Sequence, residues 1–216
     1  MNSVRTESLK NREALYSWFA ALYLHEPNER LLQPFLNIET TNVLASVFQD
    51  EKQQKTLREL AAYVELASVG DLKSEFNALF VVPTKGSYTP PYESCFRENK
   101  GKGMGNLWGE TTADVAKSYR AAGYEATNLQ GVFAPDHIGV ELAFIAKLCH
   151  DILQSFENKD FEQARKREEL RKSFLREHIS QWIEDFSRAV GTSSSSVFYR
   201  RLSALTVDLI HSDLSS

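Results

Sequence analysis

The stretch from Pro135 to Phe156 constrains this chain more than any other. Ile138, Leu142, Ile145, Cys149, Ile152 and Phe156 recur at the spacing that puts them on one stripe of an α-helix, with Pro135-Asp136 at its start. Other segments repeat the pattern. Leu15, Tyr16, Phe19, Leu22 and Tyr23 mark a helix that must stop before Pro27, because the residue preceding a proline avoids helical angles. Short helices follow around Leu31–Leu36 and Val43–Phe48, the latter capped by Thr40 or Thr41, and a longer one around Leu57–Val64. Asp71 is expected to cap a helix carrying Leu72, Phe76, Leu79 and Phe80. Thr111 with Asp114 reads as a capping box for a helix running to Gly123. Asp160 with Gln163 opens a long charged helix with a buried stripe of Leu170, Phe174, His178, Trp182 and Phe186, and Phe198, Leu202, Leu205 and Leu209 mark the last helix. No segment alternates in the manner of a strand. The expected fold is therefore all-α: a single helical domain of roughly nine to eleven helices. The 13 Phe, 8 Tyr and 3 Trp supply enough aromatic mass for a large core.

The helical pattern fails between Val81 and Gly109, where three prolines and five glycines fall. We take residues 1–80 and 111–216 as two helical halves joined by a loop or hinge at 81–110. Tyr88, Pro90, Pro91, Tyr92 and Phe96 lie in that loop directly after Leu79-Phe80. Apolar groups in a connecting segment either pack beneath it or form a groove for an apolar helical peptide.

The net charge of −4 excludes nucleic acid as a partner, since phosphate binding needs a basic surface. The basic cluster Arg165 to Lys172 is interleaved with glutamates and reads as a solvated helix face. No run is apolar enough to span or insert into a membrane, and Cys95 and Cys149 suggest no disulfide framework, so the chain reads as cytoplasmic with reduced thiols.

Asp136, His137 and Glu141 are the best candidates for chemistry. His137 and Glu141 are four apart and share a helical face. A metal site needs a third and usually a fourth ligand, and none follows at useful spacing. The bland reading has Asp136 capping the helix and His137 bonding to a loop. Gly101, Gly103 and Gly105, with Lys100 and Lys102, superficially resemble a phosphate loop but lack the GK[ST] ending and a preceding strand. Ser94 or Cys95 would need His137 as a distant base. A metal- or nucleotide-dependent hydrolase using Asp136, His137 and Glu141 is thus the alternative to a non-catalytic binding protein with no resident cofactor.

Three blocks carry a family resemblance: Phe76-Asn77-Ala78-Leu79-Phe80 followed by Pro90-Pro91-Tyr92-Glu93-Ser94; Trp108-Gly109-Glu110-Thr111-Thr112 leading to Tyr119 and Gly123; and Ala134-Pro135-Asp136-His137-Ile138-Gly139-Val140-Glu141-Leu142. Read in order, the chain resembles the TorD/DmsD/NarJ family of redox-enzyme maturation chaperones. It departs at Ala134, where that family often has Glu. The resemblance implies a cytoplasmic chaperone that binds the twin-arginine signal peptide or N-terminal region of a molybdoenzyme precursor while the molybdenum cofactor enters the apoenzyme. It carries binding roles to Leu79, Phe80, Pro91, Tyr92, Ser94, Pro135, Asp136 and His137. Asp136 is the expected partner of a peptide arginine, with Glu93 and Glu141 as second choices. It further implies a monomer or a domain-swapped homodimer, and weak GTP binding as an extra. Which oxidoreductase is the client is not written in the chain.

Overall fold

The computed structural model describes residues 3–48, 50–97, 107–124, 133–193 and 197–215. Its helices are α1 (Ser3–Leu24), α2 (Glu29–Leu32), α3 (Ile38–Val47), α4 (Glu51–Leu66), α5 (Val69–Phe76), α6 (Glu93–Arg97), α7 (Glu110–Ala121), α8 (Ile138–Glu157), α9 (Phe161–Glu177), α10 (Ile183–Ser193) and α11 (Val197–Leu214). A 3₁₀ turn follows α2, another follows α9, and a π-helical turn, Asn77–Val81, follows α5. Among the described residues the one extended pairing is a single antiparallel bridge between Tyr92 and His137. The fold is all-α, as the periodicities require.

The chain forms two compact units, and each is built from separate stretches. The first takes residues 1–24 and 92–181, the second residues 25–91 and 182–216. This division differs from the halves 1–80 and 111–216, because α1 packs along α8 and α4 packs against α11. Helical period reports which face is buried and leaves the partner open.

In the first unit α8 is the central helix. It is buried well beyond the single stripe, with Val140, Phe144, Ala146 and Leu148 enclosed as well as Leu142 and Ile145. A helix that is apolar around most of its girth belongs inside a bundle. Both α1 and α9 pack against it. Contact with α1 is close at Gly139, where an added Cβ would lie 2.5 Å from the Leu24 side chain and 3.0 Å from the Ala20 carbonyl oxygen. Phe144 of α8 packs with Tyr119 of α7 and Phe174 of α9, with ring centroids 4.6 to 5.8 Å apart. In the second unit Phe80 sits among Phe76, Phe186 and Tyr199 at 5.3 to 6.1 Å, and Phe35 meets Phe198 at 5.8 Å.

Several helix starts differ from expectation. Asn37, not Thr40 or Thr41, caps α3, and Ser68, not Asp71, caps α5. Asp71 lies inside the first turn, where its charge faces the positive end of the helix dipole. Gly109 stands at the cap of α7 with no side-chain bond in place of the Thr111 capping box. The long charged helix also breaks early: α9 ends at Glu177, and His178 leads into a 3₁₀ turn before α10. The Asp160 cap is as expected, its Oδ1 accepting from the Gln163 amide at 2.9 Å. The helix at Glu93–Arg97 lies inside the segment taken as loop.

Candidate functional site

Two segments of the first unit meet at the head of α8. Pro90 and Pro91 hold the chain extended into Tyr92, and Tyr92 pairs with His137 in the short bridge. The Glu93 amide then donates to the Asp136 carbonyl at 2.9 Å, and the Ser94 amide donates to Asp136 Oδ2 at 3.0 Å. Asp136 therefore caps α6 from across the site rather than capping its own helix, since a helix start leaves amide hydrogens that a carboxylate can satisfy.

His137 takes the cap of α8 instead. Its Nδ1 accepts from the Gly139 amide at 3.0 Å, which assigns the hydrogen to Nε2. The ring lies against Tyr92 at 5.1 Å and Phe133 at 4.6 Å. Burial lowers its pKa from 6.5 to about 3, so the imidazole is neutral throughout the physiological range. Tyr119 donates from its hydroxyl to the Pro135 carbonyl at 2.8 Å, which ties α7 to the same corner. Burial first, then the nearby carboxylates of Glu141, Asp136 and Glu93, push the Tyr119 hydroxyl well above its ordinary pKa.

Asp136, Glu141 and Glu93 are all fully buried, whereas Tyr92, Phe133 and Pro135 are half-buried and form the rim. Asp136 Oδ1 and Ser94 Oγ have no hydrogen-bond partner among the described residues. A desolvated carboxylate oxygen without a donor is costly, and it is the atom here best suited to a cationic ligand.

Glu93 adds a network that helical spacing alone would have flagged only as an i, i+4 pair. Its Oε1 accepts from Arg97 at 2.5 Å, and its Oε2 meets His178 Nδ1 at 3.1 Å. His178 lies under Phe174 at 4.6 Å, with its Nε2 3.5 Å from Ser118 Oγ.

The structure thus gathers Tyr92, Ser94, Pro135, Asp136, His137 and Glu141 in one unit. Leu79, Phe80 and Pro91 belong to the other, where all three are buried. Leu79 and Phe80 lie on the π-helical turn, and the Leu79 carbonyl accepts from the Thr89 amide at 2.7 Å. They stand in the core of that unit rather than beside Asp136 and His137. The glycines 101, 103 and 105 and the lysines 100 and 102 lie outside the described residues. Among the described residues no group of three or more His, Cys, Asp or Glu is placed to hold a metal ion, and no helix is long and apolar enough to cross a membrane. A general base needs an accessible lone pair and a pKa near the working pH. In His137 one nitrogen is spent on the cap and the pKa lies far below that range.

A sequence model of the family described as nitrate reductase delta subunit matches residues 49–188. The chain is 24% identical over 213 residues to the chaperone protein TorD of Shewanella pealeana (strain ATCC 700345 / ANG-SQ1), covering 94% of this chain and 87% of that protein. The crystal structure of a protein assigned to redox enzyme maturation, from Archaeoglobus fulgidus, matches with a TM-score of 0.50 at 20% identity over 90% of each chain, a likeness of fold.

Proposed function

Because the chain belongs to the nitrate reductase delta subunit family, within the wider group of TorD and NarJ redox-enzyme maturation chaperones, we propose that it binds the precursor of a molybdenum-cofactor oxidoreductase through its twin-arginine signal peptide or N-terminal region. It holds that apoenzyme in the cytoplasm while the cofactor enters, and turns nothing over itself. The observation that carries the reading is Asp136: its fully buried carboxylate accepts from the Ser94 amide, its main-chain carbonyl accepts from the Glu93 amide, Oδ1 is unpaired among the described residues, and a half-buried aromatic rim lies beside it. Such an arrangement suits a guanidinium flanked by apolar side chains.

Tyr92, Phe133 and Pro135 supply the apolar contact, Asp136 the charge, and His137 a neutral wall held in place by its cap. Ser94 and Glu141 complete the binding set. Burying roughly 600 Å² of apolar peptide surface gives about 15 kcal/mol gross. Association and peptide-ordering costs remove most of it, which leaves an affinity of order micromolar and allows release.

Calorimetric titration of the whole chain with client leader peptides tests the proposal. Peptides with an arginine pair should bind, and replacing the pair with lysines should weaken binding, because a lysine ammonium does not reproduce the planar guanidinium fork. Failure of every molybdoenzyme precursor to bind would sink the reading.

A further inference from the structure

Glu93 is an acid that the proposed function leaves unused. Its side chain is 0% exposed, while that of Arg97, one helical turn on, is 36% exposed. Arg97 NH1 donates both to Glu93 Oε1 at 2.5 Å and to the carbonyl of Glu177, the last residue of α9, at 3.1 Å. A guanidinium reached from solvent thus bridges a buried carboxylate and the carbonyl end of a helix, two features that each favour a cation. The neighbouring polar atoms are short of donors: Ser94 Oγ and Asp136 Oδ1 are fully buried and have no partner among the described residues. Glu93, Asp136 and Glu141 act together on the Tyr119 hydroxyl, so the three carboxylates share one neighbourhood. The positive groups seated on Glu93 are Arg97 and, when protonated, His178.

We infer that Glu93 is a guanidinium subsite which the free protein fills with its own Arg97, and that an arginine of the bound peptide exchanges with Arg97 there. The exchange half rests on the peptide-binding reading above; the subsite half stands on the geometry alone. Exchange of like for like keeps the buried carboxylate paired, which avoids the large penalty of a bare buried charge. Arg97 is already partly in water, so its displacement needs little new solvation. An ammonium fits the exchange less well, because the planar fork that matches a carboxylate is missing. Arg97 would then act as a competitor that sets how strongly an arginine must bind.

Two measurements on the full chain test this. In the first, melting of the Arg97→Ala variant is followed with methylguanidinium or methylammonium at equal ionic strength. Methylguanidinium should raise the melting temperature of Arg97→Ala and not that of the wild type, methylammonium should raise neither, and Glu93→Gln added to the variant should abolish the rise. In the second, a synthetic peptide with an arginine pair ahead of an apolar run, and its lysine-pair counterpart, are titrated into both proteins. The arginine peptide should bind Arg97→Ala about tenfold more tightly than wild type, as expected when a competing occupant is removed, and the lysine peptide should show no such gain. Arg97→Gln serves the same purpose if the alanine variant does not fold. Unchanged or weaker arginine-peptide binding to a folded variant overturns the exchange. Equal response to the two small cations overturns the subsite. Intact methylguanidinium rescue with no peptide binding to either protein supports the subsite and sinks both the exchange and the peptide-binding function.

Discussion

At the scale of single residues, Asp136 and His137 have traded the roles that their order suggests. Asp136 stands before α8 and reads as its cap, but its carboxylate serves α6, and the imidazole of His137 caps α8 in its place. Asp136→Asn keeps an oxygen for the Ser94 amide and loses the charge; Asp136→Ala loses both. The asparagine variant should therefore stay folded and lose about 1–3 kcal/mol of arginine-peptide affinity, whereas the alanine variant should in addition lose about 1–3 kcal/mol of stability for the buried amide left unpaired. Denaturant titration alongside calorimetry separates the two effects, and unchanged peptide affinity in folded Asp136→Asn would move the arginine site elsewhere. His137 makes a pH prediction. Its folded pKa is depressed to about 3 from 6.5, so between those values the unfolded chain binds the proton and the folded chain does not. The stability is fully present above pH 6.5 and drains away as pH falls toward 3, at a slope of up to about 1.4 kcal/mol per pH unit from this one group. His137→Asn retains a capping side chain without the titration. Urea unfolding of both proteins from neutral pH to pH 4 should show the wild type losing stability more steeply, and parallel curves would remove His137 as the cause.

Among the elements, close packing and helix ends hold what periodicity leaves out. Gly139 belongs to the resemblance block, but nothing in the local pattern says why it is glycine. The reason is the close approach of α1, whose Leu24 and Ala20 occupy the place of a side chain. Gly139→Ala should cost about 1–3 kcal/mol, as overpacking of a tight core does. Leu24→Ala in the same chain should recover only part of it, since the Ala20 carbonyl is backbone and stays at 3.0 Å. Full additivity of the two losses in denaturant titration would show that the helices do not touch there. The two ends of the α7 and α8 helices make a natural comparison. Both close with the paired bonds of a Schellman turn, Tyr124 to Tyr119 and Gly123 to Arg120 in one, Asp160 to Ser155 and Lys159 to Phe156 in the other. The left-handed position is glycine in the first, with φ +70°, and lysine in the second, with φ +58°. Gly123 was readable as a stop signal, and Lys159 was not, because lysine carries no such signal. Lys159→Gly should stabilise the chain by up to about 1 kcal/mol by relieving the left-handed strain, and a lower melting temperature would contradict it. Cap identity was the least legible feature for the same reason: Asn37, Ser68 and His137 won because their backbone lies in the extended region with an acceptor reaching back to the first turn, a three-dimensional condition that several nearby Thr and Asp also satisfy in composition.

For the whole molecule, helix content and the meeting of residues at the head of α8 that we propose as the binding site could be read from residue order, because stripes and the Pro-Asp-His block are local. The route of the chain could not. Residues 1–24 belong with 92–181 and residues 25–91 with 182–216, and that grouping follows from which stripes face each other, information spread over most of the chain length. It also explains why Leu79, Phe80 and Pro91 group apart from Tyr92 and Ser94, although Pro91 and Tyr92 are consecutive. The grouping has a consequence for truncation. The aromatic cluster around Phe80 draws Phe186 and Tyr199 from the last segment, and Phe198 from the same segment covers Phe35. Each fully buried aromatic is worth about 1.5–3 kcal/mol, so these three together contribute about 5–9 kcal/mol, comparable with the total stability of about 5–15 kcal/mol typical of a domain. Deleting residues 182–216 should therefore unfold 25–91, with α4 and α5 amides exchanging freely with deuterium, even though every residue of α4 and α5 is still present. Supplying residues 182–216 as a separate peptide should restore protection at those amides, because α11 packs on α4. Persistent protection of α4 and α5 in the truncated chain would show that the segment 25–91 holds its own core and that the interleaved division is wrong.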